Sequence, residues 1–334
     1  MADKLVPNDP RVEHKTATLN GKTYSYIVST PPDGTPIHNT LFLIHGWPDM
    51  AFGWRYQVPF LTSLGLRVVV PNMMGYAGTD APEPLEYYTY KSTADDIAAL
   101  AAQLGLDSII LGGHDWGGAI VFRIALHYPN LVSAIFSICT PFAPPRKEYV
   151  NAAKVLPNFA YQNQLAGPEV EKNIVGEEKL RQFLNGMYGG RSPDGNVMFS
   201  VSTGVLFDKL PEIGPSPLLS KEEVDYYVQQ YARNGMHGPL NWYRTGELNF
   251  KDEGELAEKF IQGFKFHIPT LFVAGKKDAA LPPSMSKGME NFFDGLRKEE
   301  VDAGHWALWE KPKEINAILG DWFGSVLAKG KASL

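Results

Sequence analysis

Short runs of consecutive apolar residues alternate along this chain with longer amphipathic stretches, the pattern of buried parallel strands separated by helices. The opening differs: segments of alternating polarity flank Asn20-Gly21 and predict an antiparallel hairpin. Leu41-Phe42-Leu43-Ile44 then reads as a strand buried on both faces, and Leu66-Arg67-Val68-Val69-Val70 as the next. A Pro- and Gly-rich loop from Pro71 to Pro84 is followed by a helix from Ser92 to Leu104, a strand over Ser108-Ile109-Ile110-Leu111 and an apolar helix from Ala119 to Leu126. After Ala134-Ile135-Phe136-Ser137-Ile138 the alternation stops. From Pro141 to Arg244 the chain carries aromatics and helical patches without an apolar strand run, which predicts an inserted helical lid. Alternation resumes at Pro269 to Ala274, and a terminal helix is expected from Pro312 to Leu327. The expected fold is α/β: a mostly parallel central sheet flanked by helices, with residues 1–140 and 245–334 as core and 141–244 as a cap. The cap would cover the C-terminal strand ends, where open α/β sheets bind ligands.

Composition narrows the function. A chain of 334 residues, 44% hydrophobic, can bury a large core as one domain with an insertion. The net charge of −6, with no Lys/Arg-rich run, offers no footprint for nucleic acid or an anionic membrane, so a small neutral ligand is expected. Cys139 is the only cysteine, which excludes an intramolecular disulfide. Met1-Ala2-Asp3-Lys4 leads into no apolar run and no stretch of 18 apolar residues exists; a soluble cytoplasmic protein without membrane insertion is expected. Ala332-Ser333-Leu334 lacks the basic middle residue of a peroxisomal tripeptide, leaving that address weak. No metal-ligand spacing or dinucleotide fingerprint is present, so neither metal nor organic cofactor is expected. Nothing in the pattern sets an oligomeric state.

The chemistry centres on Gly113-His114-Asp115-Trp116-Gly117. With 32 glycines in the chain, about three Gly-x-x-x-Gly pairs arise by chance, so the context has to carry the motif. Here an apolar strand precedes it and a helix follows, the arrangement of a nucleophile elbow. A carboxylate stands at the tip where a serine is usual. Serine makes acyl-enzymes, whereas an aspartate attacking an sp³ carbon makes an alkyl ester of the protein itself, so the substrate is expected to be an alkylating electrophile. The competing reading is an ordinary βα turn with Asp115 as a helix N-cap.

A nucleophilic carboxylate also needs hydrogen-bond donors, a base to activate water and an acid to orient that base. Leu41 to Ile44 runs into His45-Gly46-Trp47-Pro48, a turn that could present the Trp47 amide; Trp116, next to the nucleophile, supplies a second amide, and together they form the expected oxyanion hole. His45 itself reads as a structural histidine. His305, in Asp302-Ala303-Gly304-His305-Trp306 between the last strand and the terminal helix, is the candidate base. Asp278, in Gly275-Lys276-Lys277-Asp278 after the strand ending at Ala274, is the candidate acid.

On these residues the chain resembles the epoxide hydrolases of the α/β-hydrolase superfamily over almost its whole length. His45-Gly46-Trp47-Pro48 is similar to the family's His-Gly-x-Pro motif, and Gly113 to Gly118 to its aspartate elbow. The resemblance also implies two lid phenols, at Tyr161-Gln162 and at Asn241-Trp242-Tyr243-Arg244; among 15 tyrosines, including Tyr149, Tyr188, Tyr226, Tyr227 and Tyr231 in the same lid, spacing alone does not select them. It implies a small apolar or aromatic epoxide and water as reactants, and a diol as product. Trp47, Trp116, Phe142, Phe159 and Trp306 are the expected pocket walls, with core packing the favoured reading for Phe142 and Phe159. Two rivals remain: a haloalkane dehalogenase sharing Asp115, Asp278 and His305, and a ligand receptor without turnover.

Overall fold

The computed structural model describes residues 2–332; Met1 lies outside the described residues, as do Ser333 and Leu334, on which the C-terminal tripeptide reading falls. The chain has an α/β-hydrolase fold. Eight strands form one sheet: β1 (Glu13–Leu19), β2 (Lys22–Ser29), β3 (Asn39–Ile44), β4 (Leu66–Pro71), β5 (Ile109–His114), β6 (Val132–Ile138), β9 (Thr270–Gly275) and β10 (Leu296–Val301), in the order β1-β2-β4-β3-β5-β6-β9-β10. The pairs from β4 onward are parallel, and only β1 with β2 and β2 with β4 are antiparallel. Leu19 pairs with Lys22, leaving Asn20 and Gly21, both at positive φ, as a two-residue turn.

The residue pattern explains the placement. β3, β5 and β9 each carry an apolar run because helices cover both faces, with polar residues only at their ends, and every residue of β5 and β9 is buried. Strand order reverses between β3 and β5, so their C-terminal ends open onto a crevice at the sheet's switch point. The loops after β3, β5, β9 and β10 carry Trp47, Asp115, Asp278 and His305 respectively.

Two expectations need correction. The helix predicted from Ser92 spans Tyr90–Gln103, because the Thr89 side chain caps it by accepting from the Ser92 amide. The segment between β6 and β9 is not purely helical. Besides helices such as Tyr161–Ala166, Glu177–Met187 and Lys221–Tyr231, it holds a small hairpin of β7 (Phe199–Ser200) and β8 (Gly204–Val205), too short to leave a periodic signature. Among the described residues no helix is long and apolar enough to cross a membrane.

Candidate active site

Asp115 sits between β5 and the helix Trp116–His127 at φ 54 and ψ −124, a region L-residues rarely occupy and one that costs about 1–3 kcal/mol. The strain is held by its surroundings. The main-chain oxygen of Asp115 accepts from Thr140 Oγ1 at 2.7 Å and from the Gly118 amide at 2.9 Å. Close approach explains the glycines: a Cβ on Gly117 would overlap the Ile44 carbonyl, and one on Gly46 would overlap the Asp115 carboxylate itself. Although Asp115 stands at the N-cap position, its side chain makes no cap bond. It turns instead toward the loops after β3 and β10.

There, the Trp47 amide donates to Asp115 Oδ1 at 2.7 Å. Trp116 opens its helix, so its amide is one of those left without an intrahelical acceptor. His45 is bound on both ring nitrogens by main chain: Nδ1 meets Gly46 O at 2.9 Å and Nε2 accepts from the Met73 amide at 2.9 Å. That fixes the Nδ1–H tautomer, while burial pulls its pKa down to about 4. His45 therefore braces the turn as a neutral ring.

His305 stands on the other side of Asp115. Its Nε2 lies 3.4 Å from Asp115 Oδ2 and its Nδ1 lies 2.7 Å from Asp278 Oδ2. The remaining Asp278 oxygen, Oδ1, accepts from the amides of Ala280 and Leu281, each at 2.9 Å. Burial opposes ionisation of Asp278, but the His305 charge, its hydrogen bond and those two amides prevail and hold the carboxyl at about 2. Asp115 follows the same logic: burial raises its pKa, and the His305 bond and charge and the Trp47 amide bring it below the usual carboxylate value. His305 is pushed well above its ordinary 6.5, since the carboxylates of Asp278 and Asp115 outweigh its burial. The resting centre is an imidazolium between two carboxylates.

Tyr161 and Tyr243 lie together above this centre, ring centroids 6.2 Å apart. Tyr243 meets Trp116 edge-on at 5.2 Å and Trp47 at 5.4 Å, the two residues flanking Asp115. Burial, then the Asp115 charge, raises the pKa of Tyr161; burial, then Tyr161 and Asp115, raises that of Tyr243. Both stay neutral donors. The other tyrosines of this segment are accounted for. Tyr188 and Tyr231 donate to the Pro48 carbonyl, Tyr227 donates to Asp49 Oδ1 at 2.6 Å, Tyr226 packs edge-on to Phe52 and Tyr149 is exposed.

Of the expected pocket walls, Trp47 and Trp116 adjoin Asp115. Trp306 stacks on Trp309 at 4.6 Å and meets His305 edge-on, while its Nε1 donates to Met187 O. Phe159 precedes Tyr161 and lies 6.5 Å from its ring. Phe142 is a correction: it packs among Phe122, Phe260, Phe266, Phe292 and Phe293, a core cluster formed where the chain leaves β6. The lid indole that a halide site could use, Trp242, is spent, its Nε1 donating to Met74 O at 3.0 Å.

Two residues escaped the sequence reading. His114 Nε2 lies 2.8 Å from His305 O, tying the elbow to the loop of His305. Asp49 is fully buried behind the oxyanion turn, and burial drives its carboxyl to about 7 despite the Tyr227 and Met50 bonds. Their place inside His45 to Asp49 and Gly113 to Gly117 was the available signal, since both adjoin predicted site residues.

The sequence profile of the α/β hydrolase fold matches residues 39–187 and 215–312. The chain is 43% identical over 340 aligned positions to epoxide hydrolase srdG of Neurospora crassa, covering 97% of this chain and 99% of that protein. It is 29% identical to epoxide hydrolase A of Mycobacterium tuberculosis, covering 88% and 92%. The crystal structure of epoxide hydrolase A from Mycobacterium thermoresistibile superposes with a TM-score of 0.80 at 29% identity, over 93% of this chain and 98% of that one.

Proposed function

This chain belongs to the epoxide hydrolases of the α/β-hydrolase superfamily and hydrolyses epoxides to diols, and we propose that it does so through a covalent ester of Asp115. The observation that carries this reading is the asymmetry of the Asp115 carboxylate. Oδ1 is held by the Trp47 amide, while Oδ2 faces His305, which is in turn bonded to Asp278.

In the first step Asp115 Oδ2 attacks an epoxide carbon and the C–O bond to the ring oxygen breaks. The alkoxide takes a proton from Tyr161 or Tyr243, two donors too weakly acidic to ionise beforehand. Esterification removes the Asp115 charge, one of the two anions that keep His305 protonated. The imidazolium then gives up its proton, which replaces the one lost by the phenol, and His305 becomes the base only when an ester exists to hydrolyse.

In the second step His305 Nε2 takes a proton from water, and the hydroxide adds to the Asp115 carboxyl carbon. Negative charge develops on Oδ1, where the Trp47 and Trp116 amides hold it. Collapse breaks the bond between that carbon and Oδ2. The diol leaves with Oδ2 and a proton, water oxygen stays in Asp115, and the imidazolium is restored. Residues 141–244 act as a cap that carries the phenols over a core of 1–140 and 245–334. The aromatic surroundings, from Trp47, Trp116, Phe159 and Trp306, favour a small epoxide with an apolar or aromatic substituent. A cytoplasmic setting suits the single buried thiol of Cys139.

Single turnover in ¹⁸O-water tests the route. Label is expected in the peptide containing Asp115 and absent from the first diol released; label entering the diol directly would mean that water, not Asp115, attacks the epoxide.

A further inference from the structure

The helix that begins at Tyr161 is only six residues long, Tyr161–Ala166, and no side chain caps its N-terminus. A helix of this length does not hold its own orientation in water, so the phenol is aimed by what the helix is fastened to. One fastening is unusual. The Gln164 side chain accepts from the Val205 amide at Oε1, 2.6 Å, and donates from Nε2 to the Val205 carbonyl, 3.0 Å, pairing with β8 as a neighbouring strand would. The approach is close enough that a Cβ on Gly204, which stands at φ +90, would overlap Gln164 Oε1.

The contacts then return to their starting point. Val205 is the register partner of Phe199 across the hairpin, and the Phe199 ring meets the Tyr161 ring edge-on at 5.3 Å and 72°. The Tyr161 amide donates to Val201 O at 3.0 Å, within the same hairpin. On its other end the helix is held by Arg244, the neighbour of Tyr243, which donates to the carbonyls of Ala166 and Gly167 at 3.0 and 2.9 Å. Gln164, Val205, Phe199 and Tyr161 thus form a closed circuit in which a polar side chain on one turn of the helix places the aromatic wall against the phenol on the preceding turn. By contrast, the hydroxyl of Tyr161 receives a long bond, 3.5 Å from Gln162 Nε2, too weak to aim it alone.

We infer that Gln164 is a positioning residue for ring opening: its paired bonds to Val205 set the β7–β8 hairpin that holds the Tyr161 hydroxyl where the epoxide oxygen departs. The inference rests on the proposed role of Tyr161. It predicts that loss of Gln164 slows ester formation and leaves ester hydrolysis, which uses His305 and Asp278, intact. A displacement of the donor by about 1 Å is sufficient to cost on the order of tenfold to a hundredfold.

Stopped-flow tryptophan fluorescence on the full-length enzyme separates the two steps, since Trp116 adjoins the ester. Gln164→Leu, which keeps volume and loses both bonds, is expected to lower the ester-forming rate at least tenfold with propylene oxide, with hydrolysis within twofold of the parent. With trifluoromethyl oxirane, whose opened alkoxide is less basic and needs less proton donation, the loss is expected to be severalfold smaller; a general disturbance of the fold would slow both substrates alike and overturn the inference. Gln164→Glu, which keeps the shape and the bond from the Val205 amide, is expected to lose less, and serves as the test if the leucine variant does not fold. Tyr161→Phe is the reference. If it leaves ester formation unchanged, the phenol assignment and this inference fall together; if it slows ester formation while a folded Gln164 variant does not, only the inference falls.

Discussion

His114 Nε2 and the main-chain oxygen of His305 are 2.8 Å apart, so the residue before Asp115 is bonded to the backbone of His305. Burial keeps His114 neutral at physiological pH, with a pKa of about 4, and with Nε2 donating, its Nδ1 carries no proton. His114→Phe keeps the ring volume and deletes the bond. Ester hydrolysis is expected to slow by about tenfold, with ester formation less affected, because only the water-activating step depends on the position of His305. Single-turnover decay of the ester checks this, and equal slowing of both steps would show that the bond merely supports the fold.

His305→Gln is expected to stop the reaction after the first step. Intact-protein mass spectrometry after addition of an epoxide should show one substrate mass added at Asp115, and Asp115→Asn should show none. A His305→Gln enzyme that turns over with an unmodified mass would remove His305 from the second step.

The pH profile follows from charge. In the resting site two carboxylates hold the His305 proton, and in the ester only Asp278 remains, so the His305 pKa is lower in the ester than in the free enzyme. A base must be unprotonated, so ester hydrolysis rises with pH through that lowered value and then levels. The midpoint from single-turnover hydrolysis is therefore expected below the His305 pKa measured by NMR in the resting enzyme. A midpoint at or above the resting value would contradict the coupling.

Replacing Tyr161 or Tyr243 by Phe removes one proton donor and leaves its ring packing. Each is expected to lower the ester-forming rate by about 10² and the double replacement to abolish measurable turnover, since a positioned acid contributes roughly 10²–10⁴. Transient kinetics of ester formation reads this directly.

Asp49 makes a prediction about stability. Its ordinary value of 3.8 rises to about 7 through burial, offset in part by the Tyr227 bond, the Met50 amide and the Arg55 charge. Between those values the folded protein keeps a proton that the unfolded chain has released, so the Asp49 contribution is most favourable at low pH, falls as pH rises and is constant above about 7. Asp49→Asn retains an oxygen for Tyr227 and Met50 and cannot ionise. From pH 5 to pH 8 the parent should lose about 3 kcal/mol relative to this variant in urea unfolding, as roughly two units of proton linkage require. Parallel curves would mean that the carboxyl is ionised at both pH values.

What the sequence showed depended on how each element is buried. β3, β5 and β9 stood out because burial on both faces gives a strand a run of consecutive apolar residues. β10, Leu296-Arg297-Lys298-Glu299-Glu300-Val301, is an edge strand with exposed charges and has no such run. The Asp115 elbow, Asp278 and His305 were readable as chemically unusual residues at the ends of strands. Tyr161 and Tyr243 were singled out only by family resemblance, because a phenol near a carboxylate and one packed in a core have the same local sequence. Asp49 and Gln164 acquire their roles from partners 178 and 41 residues away, separations at which no local pattern operates.

The oxyanion turn is gripped from above by three phenols, Tyr188 and Tyr231 on the Pro48 carbonyl and Tyr227 on Asp49. On that flank the roof and the charge-binding amide are effectively one rigid piece. Swinging the roof away there would drag Trp47 off the nucleophile, so an enzyme gaping on this side would be a disarmed one. Cutting these three tethers to widen an entrance there would free the turn that carries Trp47 and trade chemistry for access.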